Sequence, residues 1–167
     1  MKAILAGLFS CAVLSLPSFG QAGETATGDQ AFVDTAAQTD MTEAHLGQLA
    51  ADQAASQGVK DYAQMLVTDH TNDYKVLTAA ATKAGLTVPK GLDAKHEKMV
   101  APFEKLHGKA FDHKYIQTMV AGHTAALEAY TKESKDGTNA DIKAYATQTL
   151  PTLEKHRDAA KALATAK

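Results

Sequence analysis

Four titratable residues occupy positions at which a packed helix normally carries aliphatic side chains. They are Glu43, His70, His123 and His156, and each lies in the middle of an apolar pattern with alternating spacings of four and three residues. Burying such groups without partners is costly, so we expect them to meet one another. One carboxylate and three imidazoles form a ligand set that suits a transition metal ion such as zinc, copper or iron.

Three aspartates lie near these residues when the helical patterns are aligned. Asp69, Asp73 and Asp112 could accept hydrogen bonds from the imidazoles and so orient them for a metal ion. The alternative hypothesis is a closed hydrogen-bonded network that fixes the positions of the helices and binds nothing. The remaining histidines lie off the pattern or in connections, and we expect them to be solvated: His45, His96, His107 and His113.

Four helices must position the polar residues. Their apolar seams cover residues 32–50, 59–77, 112–130 and 142–163. Short turn-forming stretches at 56–58 and 136–139 predict two antiparallel hairpins. Residues 86–110 form a longer connection, with a short helix predicted at about 94–106. The predicted fold is therefore all-α, an antiparallel four-helix bundle of the ferritin-like type with a long crossover between the second and third helices.

A faint internal repeat suggests a duplicated helical hairpin. Residues 59–63 resemble residues 142–146, and each segment directly follows a hairpin turn. A competing match aligns 62–70 with 115–123, but similar apolar seams can produce it through composition alone. We therefore favour the first alignment, which pairs the second helix with the fourth.

The N-terminus has the pattern of a secretory signal peptide. Lys2 precedes an apolar run and then small residues, which predicts a signal over residues 1–22 with cleavage after Ala22. An uncleaved anchor is the alternative, although the apolar run is shorter than the roughly 20 residues of a membrane span. Cys11 raises the alternative of a lipoprotein, which the bulky Phe9 disfavours.

Cleavage would leave a flexible polar segment over residues 23–28 and a helical domain over residues 29–166. The only cysteine would leave with the signal, so the exported, periplasmic chain would have neither disulfides nor thiolate ligands. We expect no transmembrane span in this mature chain.

Composition and motifs exclude several function classes. The formal net charge of −2 gives no electrostatic basis for binding nucleic acid. The chain lacks a Gly-rich phosphate loop, a G-x-S-x-G elbow and an H-E-x-x-H pair, so we assign no catalytic residues and expect no enzymatic activity. The sequence leaves a homo-oligomer open.

The sequence resembles the exported bacterial family called domain of unknown function 4142. The resemblance covers residues 31–164, and its carriers are Phe32-Val33, Glu43, Leu46, Met65, Asp69-His70, Leu86-Thr87-Val88-Pro89, Gly108-Lys109-Ala110-Phe111-Asp112, Tyr115, Met119, His123, Leu150-Pro151-Thr152-Leu153 and His156. It implies export and a ferritin-like helical bundle, but no established reaction.

Comparison with ferritin-like di-iron proteins argues against a di-iron site in this chain. Those proteins use a Glu from each of two helices and Glu-x-x-His from each of the other two. The second predicted helix offers only Asp69-His70, and the fourth offers Glu154-Lys155-His156, so neither provides the motif. Two functions are favoured over a third, a degenerate ferritin-like enzyme. The protein is an exported protein that binds a transition metal through its Glu/His cluster, or a structural or stress-related cell-envelope protein whose cluster only fixes the helices.

Overall fold

The computed structural model describes residues 22–165, with side chains from residue 28 onward. Within these residues the regular structure is helical and contains no β-strand, which confirms the all-α class. The elements are α1 (Ala22–Gln53), α2 (Gln57–Lys83), α3 (Ala94–Val100), a 3-10 helix (Ala101–Lys105), α4 (Gly108–Asp136) and α5 (Ala140–Thr165). The predicted signal over residues 1–22 lies outside the described residues except for Ala22.

Neighbouring long helices run in opposite directions. Lys83 at the end of α2 forms an ion pair with Asp141 at the start of α5, at 2.6 Å. At the other end, Gly58 at the start of α2 lies against the side chain of Leu163 near the end of α5. Helices α1 and α5 each pack on both α2 and α4, so the four long helices enclose a shared interior.

Each hairpin turn is held by one carboxylate from the other hairpin. Asp112 on α4 accepts hydrogen bonds from the backbone amides of residues 55–56, both at 2.9 Å. Asp29 on α1 accepts from the backbone amides of residues 138–139, at 3.0 and 2.9 Å. These aspartates are separated by the same number of residues as the two segments of the favoured repeat. The reciprocal contacts therefore support that alignment of the hairpins.

The connection between α2 and α4 lies along α1. The side-chain amide of Gln38 donates to the Gly91 carbonyl at 2.9 Å and accepts from the Asp93 amide at 3.0 Å. Gln30 holds the backbone of Thr87 in the same way, at 2.8 and 3.0 Å. Two glutamines of α1, Gln30 and Gln38, thus fix the connection at two points, so α3 lies beside α1.

The connection contains two short helical elements over the range in which the sequence predicts a helix that Pro102 breaks or kinks. Helix α3 changes to a 3-10 helix at Ala101, because Pro102 lacks the N–H that an α-helical continuation needs and fits only a first turn. The 3-10 helix buries Phe103, whose ring packs edge-on against that of Phe111 with centroids 5.9 Å apart. The connection is thereby anchored to α4.

Helix α1 begins earlier than the sequence predicted. Residues 23–28, expected to be a flexible segment outside the helical domain, continue α1 in the structure. The apolar pattern begins only at Phe32, and such a pattern reports which part of a helix is packed, not where the helix starts.

The interior consists of two apolar halves separated by a polar layer. One half contains Leu46, Leu66, Phe103, Phe111, Tyr115 and Met119. The other half contains Phe32, Leu77, Leu127, Tyr130, Ile142 and Leu153. Buried polar residues of all four long helices lie between them. None of the described helices combines the length and apolar character that a membrane crossing requires.

Candidate metal centre

Each long helix contributes one residue to the polar layer. Glu43 comes from α1, His70 from α2, His123 from α4 and His156 from α5. Their exposed fractions are 4%, 2%, 0% and 1%, so all four are buried. The structure thus brings together the four residues that the seam pattern singled out.

The three imidazoles form a compact triangle. Their ring centroids lie 5.7 Å (His70–His123), 5.3 Å (His70–His156) and 5.2 Å (His123–His156) apart. Each ring offers one nitrogen to the interior of the triangle, and the three nitrogens lie within 4.8 Å of one another.

The Glu43 carboxylate lies against two of these nitrogens. Its Oε2 is 2.9 Å from His70 Nε2 and 3.1 Å from His123 Nε2. The three atoms are buried, and none of them makes a contact with hydrogen-bond geometry. Glu43 and the charged ring of His70, whose pKa is raised to about 10, therefore form a buried ion pair, although their contact lacks hydrogen-bond geometry.

The protonation state of His123 shows what kind of contact this ring makes with Glu43. His123 Nδ1 lies 2.9 Å from the Met119 carbonyl, which can only accept, so the ring hydrogen is on Nδ1. Burial outweighs the Glu43 charge and lowers the pKa of His123, so the ring is neutral. Its Nε2 therefore directs a lone pair at a carboxylate oxygen. Two such electron-pair donors at 3.1 Å repel each other unless a cation lies between them.

His156 has the opposite tautomer. Its Nε2–H donates to Asp69 Oδ2 at 2.8 Å, and burial lowers the pKa of the imidazole to about 4. Its Nδ1 is buried and has no hydrogen-bond partner. Asp69 thus orients the ring so that an unshared lone pair remains available, which is the role predicted for this aspartate.

His70 is held by a carboxylate that the sequence analysis did not select. Its Nδ1–H donates to Asp40 Oδ1 at 2.8 Å, and Asp40 is 1% exposed. Burial disfavours the charged ring, but the carboxylates of Glu43 and Asp40 outweigh it and raise the pKa of His70 to about 10. Burial in turn raises the pKa of Asp40 to about 7. The signal in the sequence was the spacing, since Asp40 and Glu43 are three residues apart and share a face of α1.

Two of the aspartates predicted to orient imidazoles accept hydrogen bonds from other groups instead. Asp73 accepts from the hydroxyls of Tyr145 and Thr149 on α5, at 2.6 and 3.2 Å. Asp112 lies at the α1–α2 turn, where it accepts from two backbone amides. Proximity along an aligned pattern does not give side-chain direction, and both carboxylates point to donors nearer to them than the rings.

The other histidines do not join the centre. His107 and His113 are exposed, as expected, whereas His45 and His96 are half-buried. His96 Nδ1–H donates to Asp93 Oδ1 at 2.7 Å, and His45 Nε2 is buried without a hydrogen-bond partner.

These features define an all-helical protein with a buried carboxylate–imidazole cluster at its middle. The chain belongs to the family DUF4142, described as a domain of unknown function, whose sequence profile matches residues 15–163. This confirms the resemblance found in the sequence. A comparison with curated proteins and a comparison with solved structures found no match.

Proposed function

We propose that this protein binds one transition metal ion through Glu43 Oε2, His70 Nε2, His123 Nε2 and His156 Nδ1. The observation that carries the proposal is the 3.1 Å approach of the neutral His123 Nε2 to Glu43 Oε2. Both atoms offer lone pairs in a dry interior, where an unpaired polar atom is costly. A cation between them converts the repulsion into coordination.

The surroundings of the rings support the same conclusion. Each imidazole is held by an acceptor on its far nitrogen: Asp40 for His70, the Met119 carbonyl for His123 and Asp69 for His156. Metal-bound histidines have this arrangement, because the outer hydrogen bond fixes the tautomer and the ring orientation. Three nitrogens and one oxygen suit zinc, copper or iron.

The competing hypothesis of a closed polar network accounts less well for the contacts. Such a network would give each buried donor an acceptor. In this polar layer, each of the four inward-facing atoms lacks a partner with hydrogen-bond geometry. These four atoms lie close together and come from four different helices, which is the pattern of a ligand set.

The number of protein donors bears on the role of the site. The three imidazole nitrogens lie within 4.8 Å of one another, and Glu43 Oε2 contacts two of them. Four such donors would fill a tetrahedral coordination sphere, which is typical of structural metal sites, whereas catalytic zinc keeps one position open for water or substrate. We therefore propose that the protein holds, stores or buffers its ion and does not present it to a substrate. The absence of Glu-x-x-His in the sequence argues against di-iron chemistry.

The architecture and location belong to the same proposal. The antiparallel neighbours and the long connection over residues 84–107 favour an antiparallel four-helix bundle of the ferritin-like type. The apolar run within residues 1–22 favours export to the periplasm, where such a protein would meet metal ions outside the cytoplasm.

Metal titration tests the function. The purified protein, freed of metal with a chelator, is titrated with Zn²⁺ and Co²⁺ while heat and the cobalt absorption bands are recorded. We expect one ion per chain and loss of binding in His123→Ala and His156→Ala. His113→Ala, which removes an exposed imidazole, is the matched control. Binding that survives both buried substitutions, or no binding at all, would refute the proposal.

A further inference from the structure

We propose that metal ions reach the buried centre through a cleft between α1, α3 and α4, whose rim carries His96 and Met99 as the first ligands. This inference rests on the proposed function, because it describes the route to the same site. The four donor residues are each no more than 4% exposed. An ion therefore needs an opening from which at least one of them can be reached.

The cleft has a volume of about 210 Å³ and includes Glu43 in its lining. Its walls consist largely of small residues, among them Thr39 and Thr42 from α1 and Gly122 and Ala125 from α4. Because Glu43 is buried, it lies at the inner end of the cleft. The cleft thus connects the surface beside α3 with one of the four donors.

The two carboxylate oxygens of Glu43 face different spaces. Oε2 lies against the ring nitrogens of His70 and His123, as described above. Oε1 faces Gly122 on the wall of the cleft, 3.2 Å from the position that a Cβ would occupy there. A cation bound by Oε1 in the cleft can therefore pass to Oε2 in the centre without leaving the carboxylate.

The rim of the cleft carries two metal-binding side chains. His96 and Met99 are three residues apart on α3, so they lie on the same side of that helix. Asp93 accepts from His96 Nδ1–H, which leaves the Nε2 lone pair available. Met99 is 38% exposed, and Val76 is the only other large hydrophobic side chain exposed within residues 28–165. An imidazole beside a thioether suits copper and other soft or borderline ions.

A second groove, between α2 and α5, is the competing route. It is lined by Asp69, Asp73 and Lys155. However, Asp69 contacts His156 at Nε2, the nitrogen on the far side of the ring from the centre. A cation in that groove would meet the back of an imidazole, whereas in the α3 cleft it meets a carboxylate that already belongs to the donor set.

Loading kinetics test the route with Co²⁺ as the probe. The cleft is filled by Ala125→Trp, and the rim ligands are removed by His96→Ala with Met99→Leu. Ala121→Trp, also exposed on α4, and His113→Ala are the matched controls. We expect Co²⁺ association and dissociation to slow together by about tenfold in the cleft variants. The dissociation constant and the final absorption spectrum should stay unchanged, because the altered residues are not ligands of the centre.

The outcomes separate the route from the function. Unchanged rates with binding intact would overturn the cleft route and leave the proposed metal site standing. Slowing by Thr152→Trp, which fills the α2–α5 groove, in place of Ala125→Trp would assign entry to the other side and also overturn it. If no protein in the series takes up Co²⁺, both the route and the proposed function fail.

Discussion

Two buried glutamates lie in different parts of this molecule and behave in opposite ways. Glu43, at the middle of α1, is 4% exposed, and Glu133, in the last turn of α4, is 8% exposed. Burial raises the pKa of a carboxyl group in both places. Even so, the pKa of Glu43 is lowered, whereas the pKa of Glu133 is raised to about 7.

The neighbours explain the difference. Burial raises the pKa of Glu43, but the charged ring of His70, 2.9 Å from its Oε2, outweighs that burial and lowers it. Burial raises the pKa of Glu133, and the nearby carboxylate of Asp29 raises it further. Asp29 itself keeps a lowered pKa despite its burial, because Thr138 and Asn139 donate hydrogen bonds to it.

The comparison shows that burial alone does not define a metal site. Each glutamate has a buried oxygen without a hydrogen-bond partner and a glycine packed against its carboxylate. Only Glu43 combines a lowered pKa with a neutral imidazole nitrogen, that of His123, aimed at its carboxylate. Glu133 instead has a raised pKa beside Asp29, at the end of the molecule where α1 meets the α4–α5 turn.

The largest expected effect concerns metal affinity. Glu43→Gln should weaken Zn²⁺ binding by more than about 100-fold, since losing even an outer partner of a ligand costs about 10–100-fold. Glu133→Gln, the same chemical change at the other buried glutamate, should leave binding unchanged. Competition with a chromophoric chelator measures both. Equal losses of Zn²⁺ affinity in the two variants would mean that Glu43 is not a ligand of the ion.

A smaller effect is expected on the stability of the metal-free protein. Glu43→Gln removes the charge facing His70, whose pKa depends on that carboxylate, and should cost about 1.5–3 kcal/mol at pH 7. Glu133→Gln should cost less, because the amide replaces a carboxyl about half of which is protonated at pH 7. Urea unfolding in the presence of a chelator compares them, and a greater loss in Glu133→Gln would contradict the assignment.

Gly137 and Gly122 should differ in how well they tolerate substitution by alanine. A Cβ at Gly137 would lie 2.6 Å from the Glu133 carbonyl and 2.5 Å from its Oε1, so Gly137→Ala should destabilise the protein by about 1–3 kcal/mol. A Cβ at Gly122 would meet only the side-chain oxygen of Glu43, at 3.2 Å, and this carboxylate can shift. Gly122→Ala should therefore cost less in thermal unfolding of the metal-free protein, and the reverse order would refute the comparison.

The smallest expected effect is a pH dependence that belongs to Glu133. Its pKa is raised above the ordinary value of 4.5 to about 7, so the folded state holds the proton more tightly than the unfolded chain. The resulting stability is fully present below pH 4.5 and is lost as the pH rises through 7. We expect a loss of about 1 kcal/mol, reduced by solvent screening.

Unfolding midpoints of the wild type and Glu133→Gln, measured across this interval, isolate the contribution. The difference between the two proteins should change with pH between 4.5 and 7 and level off above it. A difference that is independent of pH would show that Glu133 is ionised in the folded state. Asp141→Asn, at an exposed ion pair with Lys83, controls for general charge effects.

Much of the fold and the four central residues could be predicted from the sequence. Apolar spacing identified the four long helices, and a titratable residue within a seam marks a buried polar site because such residues rarely lie there. Asp40 was missed, although its spacing from Glu43 placed it on the same face. Asp73 and Asp112 were misassigned, because the pattern does not say which donors a carboxylate meets.

The sequence by itself determined the apolar face of each long helix and the four titratable residues within it, because helical periodicity fixes the face on which a side chain lies. It also determined the family, through motifs spread over most of the chain. Only the tertiary structure decided how the helices align along their axes, and thereby which atoms meet. The tautomer of His156 and the opposite pKa shifts of Glu43 and Glu133 follow from contacts between helices distant in sequence.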